Sequence, residues 1–370
     1  MRDPVVVVGG GIGGLTTALA LRSQGIDCEV HERAPELNEI GAGVQLWPMA
    51  LRALDRIGVG PDVRALAGTP TDFEVRRRDG TPLKRLPAQR LTERLGEPPI
   101  AVHRGELQAA LLRAVGPGVV TTGHEVIGVT PDGVVRFADG ASRRGRAVIA
   151  ADGRHSVVRS TLWGRPRLHP CRVMGWRGTA PTPPGLGDGV VGGITWGQGL
   201  EFGMLRIAGD RTTWFGVVKR FDDGGSKEEL CRRFAGFHSP IPELVAATPE
   251  EAIWRDHIDD LWPLRRWSRG RVVLLGDAAH AMTPAFGLGA CHAIVDAEVL
   301  AAALAAEDDV ARAFRTYQRA RQRRVRALTL VARAGVAGPK HDLPQRLAAS
   351  GLGLVPGPVF FAGLAAVVGG

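Results

Sequence analysis

Cysteine is scarce in this chain: its four thiols, Cys28, Cys171, Cys231 and Cys291, lie far apart and form no C-x-x-C. That spacing argues against a zinc site, a redox-active dithiol or a disulfide framework, and it fits a reducing cytoplasm. Aromatic residues make up only 5% of the 370 positions, and tyrosine occurs once. No run of about 20 apolar residues is present, so no membrane span is expected. The first apolar run is only a strand long and leads into glycines, so no signal peptide is expected. The carboxylates show no paired spacing of hydrolytic type. Lys and Arg outnumber Asp and Glu by 47 to 38, a formal charge of +9. Yet arginine is spread along the chain with no aromatic-interleaved basic motif, so nucleic acid is not an expected partner. A positive field suits a phosphate-rich nicotinamide cofactor or an acidic substrate instead.

What is present is ordinary globular composition, 44% hydrophobic and 23% charged, in a chain long enough for two domains. The most informative stretch is Val5 to Arg33. Four valines, Val5 to Val8, have the apolar, β-branched character of a strand buried on both faces. Gly9, Gly11 and Gly14 follow with G-x-G-x-x-G spacing, Ile12 lies inside that loop, and an Ala/Leu-rich helix continues from Leu15. A second strand, Cys28 to His31, ends at Glu32, 18 residues after Gly14. The first glycine permits a tight turn, the second admits a pyrophosphate, and the third lets helix and strand pack closely. The helix N-terminus then aims amides and partial positive charge at the phosphates, and an acid closing the second strand can accept from a ribose hydroxyl.

Further along, segments 73–78 and 83–86 flank Asp79-Gly80, a hairpin signal. Ile100 to His103 leads into a helix beginning at Arg104, a cation where the helix macrodipole disfavours one. A phosphate or polyol contact would explain it. Val119 to Thr130 and Val134 to Phe137 read as strands, and Arg146 to Ala151 as a buried strand delivering an Asp152-Gly153 turn to a sheet edge. The strand-like segments between Val173 and Lys219, divided by Gly/Pro/Asp clusters, predict an antiparallel sheet carrying Trp176, Trp196 and Trp214. Ser226-x-x-Glu229 is a capping box. The buried strand 271–275 then repeats the opening logic through Gly276-Asp277 and Pro284 to Gly289, before a long helix from Ala290. A basic helix, Arg312 to Arg333, precedes a Gly/Pro/Ala/Leu-rich tail.

Three segments together resemble the single-component, FAD-dependent aromatic hydroxylases of the p-hydroxybenzoate hydroxylase type. They are the glycine fingerprint with Glu32-Arg33, the Asp152-Gly153 turn with Ser156 and Arg159, and Gly276-Asp277-Ala278-Ala279-His280 with Pro284 and Gly287-x-Gly289. Gly41 to Leu46 with Pro48, and Trp176-Arg177-Gly178, are similar to the salicylate hydroxylase, urate hydroxylase and zeaxanthin epoxidase branch. The resemblance implies an α/β fold: a Rossmann-like, glutathione-reductase-like FAD-binding domain with an inserted, mostly antiparallel β-sheet substrate domain. The expected division gives 1–72, 98–165 and 264–337 to the FAD-binding domain, 73–97 and 166–263 to the substrate domain, and 338–370 to a tail.

By the same resemblance Gly9, Gly11, Ile12 and Gly14 would hold the FAD pyrophosphate, Glu32 the ribose with Arg33 beside it, and Val126 the adenine through its backbone. Arg104 and Asp277 would address the ribityl–pyrophosphate region, with Gly43 and Val44 also at the cofactor. Pro284, Gly287, Leu288, Gly289 and Ala290 would lie under the isoalloxazine. Asp152 would serve both FAD and a transient NADH or NADPH. Oxygen added to reduced flavin would form a C4a-hydroperoxide that hydroxylates an aromatic or polycyclic small molecule. Epoxidation and Baeyer–Villiger oxidation by the same flavin chemistry, or a non-catalytic flavin-binding partner protein, are the alternatives. Gln45, Trp176, Glu201, Thr213, Trp214, Pro284 and Phe286 are the expected substrate contacts. No catalytic side chain and no metal ligand is singled out. Glu201 and Thr213 stand where the urate branch has an arginine and a tyrosine, and the single tyrosine, Tyr317, is too far along the chain to replace it. Monomer or homodimer are both compatible.

Overall fold

The computed structural model describes residues 3–37, 41–68, 72–164, 168–183, 192–197, 199–218, 226–284, 287–337 and 357–368. The opening unit is β1 (Val5–Val8), α1 (Ile12–Ser23) and β2 (Cys28–His31). All four β1 valines are buried, as a strand covered on both faces requires. Next come β3 (Gly43–Leu46), α2 (Pro48–Arg56) and α3 (Gly60–Arg64), then the hairpin β4 (Phe73–Arg77) and β5 (Pro82–Leu86) and helix α4 (Ala88–Leu95). The chain continues through β6 (Ile100–His103), α5 (Arg104–Val115) and β7 (Val120–Thr121). A meander β8 (Val126–Val129), β9 (Val134–Phe137) and β10 (Ser142–Arg144) precedes β11 (Ala147–Ala150) and α6 (Val157–Trp163). The expected single strand over 119–130 is therefore two, broken where Gly123 turns with φ +66°.

The second layer holds β12 (Leu168–Pro181), β13 (Gly192–Gly197), β14 (Leu200–Ile207), β15 (Arg211–Val218), α7 (Lys227–Phe234), α8 (Ile241–Ala247) and β16 (Trp254–Leu261). The chain returns with β17 (Ser268–Arg269), β18 (Val272–Leu274), α9 (Asp277–His280), α10 (Gly289–Ala306) and α11 (Val310–Ala337), and ends in α12 (Gly357–Val368).

Two sheets organise these elements. The first runs β17-β18-β11-β1-β2-β7, parallel except at the β17 edge. Its strands come from three separated parts of the chain, and the carboxyl ends of the five parallel strands share one edge. The second sheet, β16-β12-β15-β14-β13-β4-β5, is antiparallel apart from the β13–β4 pair. It takes β4 and β5 from well before the other strands.

Its two faces differ. Phe202, Met204, Trp214 and Trp176 point to one side, where Leu230, Phe234, Ile241 and Leu244 of α7 and α8 cover them. The alternate positions, among them Thr179, Thr213, Phe215 and Val217, point to the other side, which meets β3 through Thr213. Helix α10 is long and apolar enough by composition to cross a membrane, and it is the one such helix among the described residues. Here it is a core element, with Cys291, Ile294, Ala297 and Leu300 all buried.

Candidate functional site

Three turns meet at the carboxyl edge of the first sheet. A Cβ on Gly14 would overlap the carbonyl oxygen of Gly9, and one on Gly9 would sit 2.5 Å from Ala151 O, next to Asp152. Gly9 also has φ +103°, so this crossing requires glycine. A Cβ on Gly13 would meet Leu275 at 3.2 Å and Ala293 at 3.4 Å. Residues 9–14, Ala151, Asp152, Leu275 and Ala293 are thus direct neighbours.

The loop amides have few protein partners. Helix α1 starts at Ile12 with no side-chain cap and no acid in its first turn, so its first amides face outward as an anion site does. Helix α10 starts the same way behind Leu288. Glu32 accepts from Gly10 N at 2.6 Å and Ala34 N at 2.8 Å. A carboxylate offers about four lone-pair directions, so capacity for ribose hydroxyls remains. Arg33 is exposed beside it. The amides of Gly123 and His124 donate to Ala34 O and Glu32 O, bringing the segment that leads to Val126 against this acid. These features fit an extended dinucleotide such as FAD: a glycine cradle, uncapped helix starts and an acid at the second strand.

Asp277 is exposed in an otherwise buried run from Val272 to Ala281. Its Oδ1 lies 3.8 Å from where a Cβ on Gly289 would be, so turn and helix start share one space. Asp152 lies at the Gly9 crossing itself, its Cα 3.1 Å from a Cβ placed on that glycine. Its Oδ2 accepts from Val158 N at 3.1 Å, while its Oδ1 is enclosed without a partner. Burial raises this carboxyl above the usual range, and contacts with Ser156 and Val158 only partly oppose that. Arg159, buried on α6, ties the two turns together by donating to Ala278 O at 2.9 Å and to Arg154 O at 2.5 Å.

Strand β3 closes another side. Gly43 pairs with His103 and Val44 with Val102, while Arg104 N donates to Ala42 O. The Arg104 stem lies against Gly41, 3.3 Å from a Cβ placed there. Gln45 lies against Gly287, with its Oε1 3.4 Å from a Cβ on that glycine. The Cys291 thiol, pushed up to about 12 by burial, accepts from Trp47 N and donates to Gln45 O, each at 3.4 Å. It is a structural thiol fastening β3 to α10. Pro284 precedes this turn, with Gly287 N donating to its carbonyl, and Ala290 opens the helix. Phe286 lies outside the described residues.

Thr213 accepts from Gly43 N at 2.5 Å and donates to Gly178 O at 3.2 Å. It joins the second sheet to β3, so its hydroxyl is already engaged in fixing the two sheets. Trp176 and Trp214 correct the sequence reading. Both lie on the opposite face of the sheet, in the cluster under α7 and α8. Trp214 is stacked on Phe202 and donates to Thr248 Oγ1 at 2.8 Å. Strand alternation decides this: Thr213 faces β3, so its neighbour Trp214 faces away. Glu201 shares the inner face with Thr213, but it pairs with Val217, four residues further along β15. There its carboxylate accepts from Trp196 Nε1 at 3.0 Å.

Two further residues, Gln108 and Arg177, stand at the site without a sequence motif that assigns them a role. Buried Gln108 of α5 donates to Gly10 O at 3.1 Å and so fixes the glycine loop from behind. An i+4 offset from Arg104 was the available signal. Arg177 lies on the inner face, where burial, with Arg104 and Arg154 close by, lowers its pKa from the usual arginine value. The nearby acids, Asp256 and Asp277, oppose that shift. Beside it Val173, Val217 and Ile258, with Phe215 and Cys171, form a small apolar floor.

Comparison with known proteins places the chain in a family. Residues 2–332 match the family described as FAD binding domain. Aurachin C monooxygenase/isomerase of Stigmatella aurantiaca is 38% identical over 327 residues, 86% of this chain and 85% of that protein. The 3-amino-4-hydroxybenzoate 2-monooxygenase PtnB3 of Streptomyces platensis is 36% identical, covering 88% and 85%. The crystal structure of Klebsiella pneumoniae HpxO complexed with FAD and uric acid superposes with a TM-score of 0.91 at 32% identity, over 99% of this chain and 96% of that one.

Proposed function

The chain belongs to the FAD-binding-domain family of flavin-dependent aromatic hydroxylases, and on that footing we propose that its substrate is a neutral, largely apolar ring compound. The enzyme is a FAD-dependent monooxygenase, and FAD supplies its redox and oxygen-activating chemistry when bound. Overall, R–H, O2, NAD(P)H and a proton become R–OH, NAD(P)+ and water. Either nicotinamide cofactor serves as a transient reductant. The chain acts in the cytoplasm as a monomer or homodimer.

Within this reading Gly9, Gly11, Ile12 and Gly14 hold the pyrophosphate, and Glu32 and Val126 the adenosine end. Asp277 and Arg104 hold the ribityl region. The amides of Gly287 to Ala290 face the pyrimidine edge, where a helix start favours negative charge. Segments 73–97 and 166–263 form the substrate part. There the inner face of the second sheet orients the ring and keeps water out, which strengthens every polar contact inside.

The observation that carries the choice of substrate is the makeup of that face. Val173, Phe215, Val217 and Ile258 supply an apolar floor, Thr213 is spent on Gly43, burial works against the charge of Arg177, and the Glu201 carboxylate, which accepts from Trp196 Nε1, has lone pairs beyond that bond. A carboxylate substrate would meet Glu201 as a like charge. A phenol, an amine or a ring N–H would meet an acceptor. The test is a panel of ring compounds in matched pairs, with and without a carboxylate, scored for stimulated NAD(P)H and O2 consumption and for a product heavier by one oxygen. The neutral member of each pair should be the better substrate. Consistent preference for the carboxylates would reject the assignment.

A further inference from the structure

A buried charge cluster behind the Gly276–Asp277 turn has no part in the reading above. Asp296, fully buried on α10, shares its Oδ2 between His280 Nε2 at 2.5 Å and the amide of Gly276 at 3.3 Å. Its Oδ1 accepts from Arg321 Nε of α11 at 2.7 Å. Arg321 also reaches His292 Nδ1 at 2.8 Å. Three elements, α9, α10 and α11, therefore converge on one carboxylate, which contacts the backbone of the turn directly.

The turn needs such an anchor. Gly276 has φ +57° and ψ −135°, a conformation only glycine adopts readily. A Cβ on it would meet Ala293 at 3.0 Å. Asp277, next in the chain, is the residue that emerges into the site. A backbone rotation at Gly276 would swing that side chain away. Burial alone would raise the carboxyl of Asp296, yet His280 and Arg321 hold it well below the usual range, so it is a charged acceptor at neutral pH. Burial and Arg321 lower His292 to about 3, so it stays neutral and accepts.

We propose that Asp296 is a positioning residue for the cofactor: by accepting the Gly276 amide while gripped by His280 and Arg321, it fixes the turn that aims Asp277. This inference rests on the FAD reading of the site. Removing Asp296 alone would strand a buried cation, so the test changes both partners. Asp296→Leu/Arg321→Met removes the acceptor at nearly constant volume, whereas Asp296→Asn/Arg321→Met keeps an oxygen for Gly276.

FAD affinity is measured by flavin fluorescence on the apoproteins, alongside their thermal midpoints. The leucine variant should bind FAD at least about tenfold more weakly than the asparagine variant, with apoprotein midpoints within a few degrees. Equal affinities, or a loss of affinity that follows the fall in midpoint, would overturn the proposal. Amide hydrogen exchange on the unmodified apoprotein gives a check that needs no variant. Gly276 should be strongly protected, and exchange at an open-loop rate would also overturn it. An unmodified chain that binds no FAD would instead bring down the functional reading, while the exchange result at Gly276 would still decide whether the anchor exists.

Discussion

At the scale of single residues, Asp277 and Trp214 are opposites, one exposed and one buried. Asp277 is an exposed carboxylate in a buried run, set beside a helix start. Asp277→Ala should weaken FAD binding by about 10- to 100-fold, the worth of a hydrogen bond to a charged group. Titration of the apoprotein with FAD checks this, and unchanged affinity would remove Asp277 from the site. Trp214 is a core residue whose indole donates to Thr248. Trp214→Phe should cost about 1–3 kcal/mol of stability through the lost hydrogen bond and volume. KM for the best ring compound should stay unchanged, and a large rise in KM with unaltered unfolding would return Trp214 to the substrate site. Asp152 has its carboxyl raised by burial. An acid whose pKa is higher folded than unfolded holds its proton more tightly when folded, so its contribution to stability falls as pH rises through that window. At neutral pH it is a cost. Asp152→Asn should therefore raise the apoprotein's melting temperature at neutral pH and flatten its pH dependence above the ordinary carboxylate range, both measurable by thermal unfolding across a pH series. A lower midpoint for the variant would contradict this.

At the scale of elements, what could be read in advance was what is local. The valines of β1, the glycine spacing and the Asp79-Gly80 hairpin each declare themselves within a few residues and form as expected, and at the Ser226 capping box the serine half forms, Ser226 Oγ accepting from Glu229 N while the Glu229 carboxylate holds Arg233. The cradle residues Gly9 and Gly14 were legible because steric demand leaves a glycine in the sequence. The faces of the second sheet were not. A strand with apolar residues at both parities, such as Thr213-Trp214-Phe215-Gly216-Val217, gives no sign of which side meets helices and which meets a ligand. Long-range contacts settle the phase: Thr213 with Gly43, 170 residues earlier, and Trp214 with the helices that follow. The Asp296 cluster was equally hidden. Its members lie on three helices, and no short-range pattern marks a carboxylate whose partner is a backbone amide 20 residues before it.

At the scale of the whole molecule, the +9 charge acts over distance. It should speed the encounter with anionic NAD(P)H, so the association rate should fall as salt rises from about 0.01 to 0.15 M, over which the Debye length shrinks from about 30 to 8 Å. Stopped-flow reduction at several ionic strengths measures this, and a salt-independent rate would deny the field any role in encounter. The convergence of strands from three separated stretches on one sheet edge also has a bearing on biosynthesis. On the proposed reading of the site, the grip is incomplete until the α10 start, around residue 290, has left the ribosome and docked beside Gly13. A nascent chain ending after β16 would carry the dinucleotide fingerprint and still emerge colourless. On that reading, loading with the yellow prosthetic group therefore waits for the α10 start and not for the fingerprint alone.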